Sequence, residues 1–103
     1  MKFTIDREQY IVNKEGLEID LPRKEFEMFW LLCSAPGKVF SRKQIFEKIW
    51  TKKSLSNERT VDVHLVNLRK KLGDQVFTTI RGVGYKINLG MTEITVLNAK
   101  AIQ

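Results

Sequence analysis

The spacing of apolar residues changes period twice along this chain, and no other feature of the sequence narrows the possible folds as much. In the first twenty residues apolar side chains alternate, pairing Phe3 with Ile5, Tyr10 with Val12 and Leu17 with Ile19 on the faces of three short strands. Polar turns at Asp6-Arg7-Glu8 and Asn13-Lys14-Glu15-Gly16 separate them, so antiparallel pairing is expected. From Phe26 the spacing becomes helical: Phe26, Phe29, Trp30 and Cys33 fall at i, i+3, i+4 and i+7. Pro22 suits a first turn, and Ala35-Pro36-Gly37 ends this helix. Ser41 with Gln44 reads as a capping box opening a second helix, whose inner face carries Ile45 and Ile49 with Trp50 at its edge. Ser56 or Asn57 caps a third helix that Gly73 closes. Residues 76–87 return to a β-rich pattern broken at Gly82-Val83-Gly84, which makes a hairpin. The order is three strands, three helices and two strands, an α+β fold with an antiparallel N-terminal sheet.

A chain of 103 residues holds one hydrophobic core. The pattern assigns residues 1–90 to a domain and leaves 91–103 as a C-terminal segment of no evident role. There, Ile94-Thr95-Val96-Leu97 either adds a strand or lies in a loose tail. The lone Cys33 excludes an internal disulfide and suits a reducing, cytoplasmic setting; within Phe29-Trp30-Leu31-Leu32-Cys33 it reads as a core residue. No apolar run approaches the roughly 20 residues of a membrane span.

The net charge of +6 is unevenly spread. Residues 1–20 carry three basic and five acidic groups, whereas residues 51–90 carry eight and three. A polyanion docking on the second half fits this asymmetry, and so does an acidic protein.

The third helix separates into faces when each residue advances about 100°. Val61, Leu65, Leu68 and Leu72 form a narrow apolar stripe, the expected core face. Opposite lie Arg59, Thr60, Val63, Val66, Asn67 and Lys70, with His64, Arg69 and Lys71 on the flanks. Cations for phosphates, an amide able to pair with an adenine edge and small apolar groups for a thymine methyl are what a DNA-reading face needs. Outward valines equally suit packing against the hairpin or a partner helix. In the hairpin, Gly82 and Gly84 permit a sharp tip and close approach, and Arg81 either enters a narrow minor groove or is ion-paired.

These residues together resemble a known family. Arg59-Thr60-Val61-Asp62-Val63-His64-Leu65, Leu68-Arg69-Lys70-Lys71-Leu72 and Ile80-Arg81-Gly82-Val83-Gly84-Tyr85 are similar to the DNA-binding effector domain of OmpR/PhoB-type response regulators. Glu25-Phe26, the run from Pro36 to Gln44 and Trp50 match in order and spacing, and the resemblance covers roughly residues 3–88. It implies a winged helix-turn-helix with the third helix in the major groove and the Arg81 wing in the minor groove. By position, Thr60, Val63, Val66 and Asn67 would face bases. Trp50, Arg59, His64, Arg69, Lys70, Thr79 and Tyr85 would contact the phosphate backbone. Loop 51–58, through Lys52, Lys53, Ser54 and Leu55, would touch RNA polymerase. Two features depart from the family. Val66 and Asn67 stand where arginine is frequent, and Pro22 replaces a capping Thr or Ser, leaving Asp20 to cap. Relatives pair head-to-tail on direct repeats and carry an N-terminal receiver domain, for which 103 residues have no room. The expectation is a piece of a longer cytoplasmic two-component regulator that begins at the first effector strand; the alternative is a standalone module.

Two other function classes remain weaker. A protein-interaction module would use Val63 and Val66 to dock a partner. An enzyme lacks a constellation: Asp62 and His64, two apart on a helix, point to different faces, and His64 has no second histidine or thiolate at ligand spacing. No cofactor or metal is therefore expected.

Overall fold

A computed structural model describes residues 1–50 and 57–97. Strands β1 (Lys2–Asp6), β2 (Ile11–Lys14) and β3 (Leu17–Ile19) precede helices α1 (Arg23–Ser34), α2 (Arg42–Ile49) and α3 (Arg59–Leu72). A 3₁₀ turn at Asp74–Val76 leads into the hairpin of β4 (Phe77–Ile80) and β5 (Gly84–Ile87), followed by β6 (Glu93–Leu97). The three N-terminal strands pair antiparallel, as their alternation predicts. Lys14 faces Leu17, so Glu15 and Gly16 alone make the β2–β3 turn, both at positive φ.

Several local details differ from the sequence reading. Tyr10 does not share a strand face with Val12; it precedes β2 at φ 56°, its ring 4.8 Å from Phe26 and its hydroxyl donating to Glu27. Position 10 closes the turn that Asp6 opens by accepting from the Glu8 and Gln9 amides. Pro22 itself is the N-cap of α1 and no side chain, Asp20 included, caps that end. The boundary placed after residue 90 falls inside the fold. Of the two alternatives for 94–97 the strand is realised, with β6 running parallel to β1 from Lys2↔Glu93 to Asp6↔Leu97. The four-stranded sheet, ordered β3-β2-β1-β6, is therefore mixed. Ile94 and Val96 pack on the core while Glu93, Thr95 and Leu97 face out, the period-two pattern of a strand covering an open edge.

The capping box at Ser41 and Gln44 forms as read. At α3 the N-cap is Glu58 with no side-chain cap, so Asn57 does not hold that position. The Asn57 side chain, one residue earlier, accepts from the Arg59 amide, and Gly73, at φ 122°, ends the helix. Ser56, the other candidate cap, lies outside the described residues.

Phe29 joins the layers, its ring edge-on to Phe3 of the sheet at 5.6 Å and to Phe77 of the hairpin at 5.8 Å. Around it α1 contributes Phe26, Met28, Leu32 and Cys33, and α2 contributes Ile45, all buried. Burial pushes the Cys33 thiol well above its ordinary pKa, as an inert core cysteine requires. The α3 stripe Val61, Leu65, Leu68 and Leu72 is buried throughout, and each such side chain contributes about 1.5–3 kcal/mol of transfer free energy.

Candidate nucleic-acid interface

With its apolar stripe against α1 and α2, α3 presents its opposite face to solvent. Val63 and Val66 are 59% and 51% exposed, and Arg59 and Lys70 are exposed beside them. What decides the width of this face is the polar contact on each flank.

On one flank stands the hairpin. Asp62 of α3 accepts from the Tyr85 hydroxyl and, at 3.0 Å, from Arg42 of α2. One helical turn pair further on, Arg69 donates to Thr79 Oγ1 at 3.0 Å and to the Phe77 carbonyl at 3.2 Å. Burial, reinforced by the hydrogen bond and charge of Asp62, raises the Tyr85 hydroxyl to about 12. The hairpin is also zipped to the segment before α2, where the Phe40 and Tyr85 amides and carbonyls exchange bonds of 2.9 Å. Gly84 makes that approach possible, because a Cβ there would lie 2.0 Å from the Phe40 carbonyl oxygen. The hairpin turn carries Arg81, exposed, beside Gly82 at φ 77°. An open groove lined by Ser41, Arg42, Lys43, Asp62, Arg81 and Tyr85 separates this turn from the starts of α2 and α3.

On the other flank stands α1. Glu25, only 3% exposed, gathers three α3 side chains at 3.1 Å each: His64 Nδ1 and Asn67 Nδ2 on Oε2, and Lys71 Nζ on Oε1. Burial opposes the charge of this carboxyl, but bonds from His64, Lys71 and Asn67 and the Lys71 charge outweigh it and lower its pKa. Because an ionised carboxylate only accepts, His64 must carry its hydrogen on Nδ1. Trp50, buried at the end of α2, lies 5.4 Å from the His64 ring and stacks on Phe46.

The described residues among those singled out from sequence thus fall into three groups. Arg59, Val63, Val66, Lys70 and Arg81 are exposed, with Thr60 half-buried next to them. Arg69, Thr79 and Tyr85 join α3 to the hairpin, and Trp50, His64 and Asn67 sit on the α1–α2 side. Lys52, Lys53, Ser54 and Leu55 lie outside the described residues. Sequence reasoning missed Glu25 as a hub and Asp62 as the hairpin's anchor. Glu25 carried a signal, since a carboxylate at i−4 from Phe29 and i−7 from Leu32 lies within the apolar stripe and needs partners.

A winged helix with a solvent-facing third helix beside a basic hairpin turn is also what known proteins match. Residues 16–87 fit the family described as transcriptional regulatory protein, C terminal. The chain belongs to that family. The heme response regulator HssR of Staphylococcus saprophyticus is 38% identical over 89 residues, covering 82% of this chain and 40% of that protein. The phosphate regulon transcriptional regulatory protein PhoB of Rhizobium meliloti is 40% identical over 87 residues, covering 81% and 38%. The chain therefore spans about two fifths of the length of these curated relatives. Among solved structures, the DNA-binding domain of response regulator AdeR in complex with an intercistronic region superposes with a TM-score of 0.74 at 30% identity, covering 84% of this chain and 92% of that one. DrrB, a Thermotoga maritima OmpR/PhoB homolog, gives 0.73 at 34%, covering 81% and 40%. The fold is that of the DNA-binding effector domain of OmpR/PhoB-type response regulators, and these curated relatives are response and transcriptional regulators. No described helix is long and apolar enough to cross a membrane.

Proposed function

We propose that this domain binds double-stranded DNA sequence-specifically, with α3 in the major groove and the Arg81 turn in the adjacent minor groove. The observation that carries the reading is the exposed arc of α3, bounded on one side by the hairpin that holds Arg81 and on the other by α1. Val63 and Val66, with Thr60 and Asn67 at the margin, face base edges; apolar groups suit the thymine methyl. Arg59, Lys70 and Arg69 contact phosphates, supported by Thr79, Tyr85, His64 and Trp50. Arg69 spends only one of its nitrogens on the hairpin and keeps donors for a phosphate.

In the same reading the domain pairs head-to-tail on direct repeats. It meets RNA polymerase through Lys52, Lys53, Ser54 and Leu55, and it serves a cytoplasmic two-component regulator whose receiver domain controls it. In vitro selection from random duplexes tests binding and returns the half-site spacing together. Arg81→Ala and Arg59→Ala should each weaken binding and reduce the salt slope by about one unit. No retardation of duplex DNA at low salt would overturn the reading and favour a protein-docking use of the exposed valines.

A further inference from the structure

Asn67 is the one α3 side chain named above as a base reader whose amide is also bonded within the protein. Its Nδ2 donates to Glu25 Oε2 at 3.1 Å, and that carboxylate is 3% exposed. The two ends of an asparagine amide are nearly equal in shape and opposite in hydrogen bonding, so the reader's meaning depends on which end faces the DNA. A carboxylate breaks this degeneracy, because it accepts and never donates while ionised. Lys71 on Oε1 and His64 on Oε2 hold it in that form. We propose that Glu25 is a positioning residue for base recognition: it dictates the orientation of the Asn67 amide and thereby the base that Asn67 selects.

The inference rests on the reading of Asn67 as a base-edge contact. Of the two amide hydrogens, one points back along the Cβ side and the other lies beside Oδ1. Giving the first to Glu25 leaves Oδ1 and the second hydrogen facing outward, an acceptor beside a donor. That pair complements the N6 donor and N7 acceptor of adenine in the major groove. The reversed amide would exchange the two, setting its acceptor against N7 and its donor against N6, so that adenine is no longer matched. Glu25 lies 42 residues from Asn67 in sequence and is buried, yet it decides whether the Asn67 amide matches adenine.

The experiment is competitive gel-shift titration of the full chain, its Asn67→Ala, Glu25→Gln and double variants, against selected duplexes varied one base pair at a time. In the unsubstituted chain one base pair should prefer adenine by roughly five- to 150-fold, and Asn67→Ala should flatten that preference. Glu25→Gln sets a donor against Asn67, so adenine preference at the same base pair should fall to the level of Asn67→Ala, with the other positions unchanged. The double variant should behave as Asn67→Ala alone. If Asn67→Ala flattens one position while Glu25→Gln leaves it intact, or weakens every sequence equally, the role of Glu25 is overturned and the reading of Asn67 stands. If Asn67→Ala changes no preference, both fall. Should Glu25→Gln fail to fold, the Asn67 side-chain amide resonances of the unsubstituted chain decide. They should stay distinct and protected from exchange in the DNA complex; collapse to free-amide behaviour overturns the proposal.

Discussion

The two flanks of α3 are held by different chemistry. Toward the hairpin the contacts are spread along the helix and half-exposed: Asp62 with Tyr85 and Arg42, then Arg69 with Thr79. Toward α1 they converge on one buried carboxylate, with His64, Asn67 and Lys71 all on Glu25. On a wheel starting at Arg59, the hairpin side lies near 280–300° and the α1 side at about 80–140°, leaving the arc of Val66, Arg59, Lys70 and Val63 between them. An apolar stripe alone specifies where a helix packs but only loosely how it is rotated, since neighbouring apolar positions can substitute for one another. The polar flanks remove that freedom. The spread flank carries a second element, the wing, to a defined distance from α3; the convergent flank orients side chains on α3 itself.

Substitutions separate these roles, beginning with the stripe that both flanks depend on. Leu68→Ala should lower unfolding free energy by about 2–5 kcal/mol, measured by denaturant titration, because Leu68 is fully buried. Sequence preference should survive in the folded fraction. A loss below 1 kcal/mol would mean that α3 is held chiefly by its flanks.

Gly84→Ala should follow at about 1–3 kcal/mol through forced separation of the hairpin from Phe40. It should also loosen the wing, so the affinity of the folded protein for DNA should drop further than with Leu68→Ala.

Glu25→Gln probes the other flank and should cost about 1–3 kcal/mol near neutral pH by leaving buried partners mismatched. The sign with pH follows from its lowered pKa: a carboxyl lower in the folded state stabilises above its unfolded pKa, and that stabilisation is lost as pH falls through the folded value. Thermal melts between pH 7 and 3 should therefore converge for the two proteins at the acid end. Parallel curves would show that the Glu25 cluster adds nothing electrostatic.

Tyr85→Phe, on the spread flank, should be mildest, at about 0.5–1.5 kcal/mol. Its pKa is raised to about 12, so its contribution is complete below the unfolded tyrosine value and fades as pH rises toward 12. The variant should lose that alkaline dependence and keep the acid one, the reverse of Glu25→Gln. A Tyr85→Phe variant that also lost base preference would show that the two flanks are not separable.

The core face of α3, the capping box of α2 and the Gly-flanked hairpin were legible in the chain, because each depends on residues within a few positions of one another. The excess of basic residues in the second half of the chain was legible from a count alone. Tyr10 was misplaced since a single residue at positive φ flips its side chain out of register, and alternation does not reveal it. Residues 94–97 had a strand pattern, but whether a short β-branched run is used depends on an open edge elsewhere, here β1. Asn67 looked free to read DNA because nothing nearby in sequence competes for its amide.

By itself, then, the sequence determined which elements form and which face of each turns inward, since helical and strand periods act over one or two turns of chain. Only the tertiary structure decided how α3 is clamped. Glu25 meets His64, Asn67 and Lys71 across 39 to 46 residues, and Asp62 meets Tyr85 across 23. Such contacts have no period to read, because they form where packing brings a buried charge within reach of whatever donors line the facing helix.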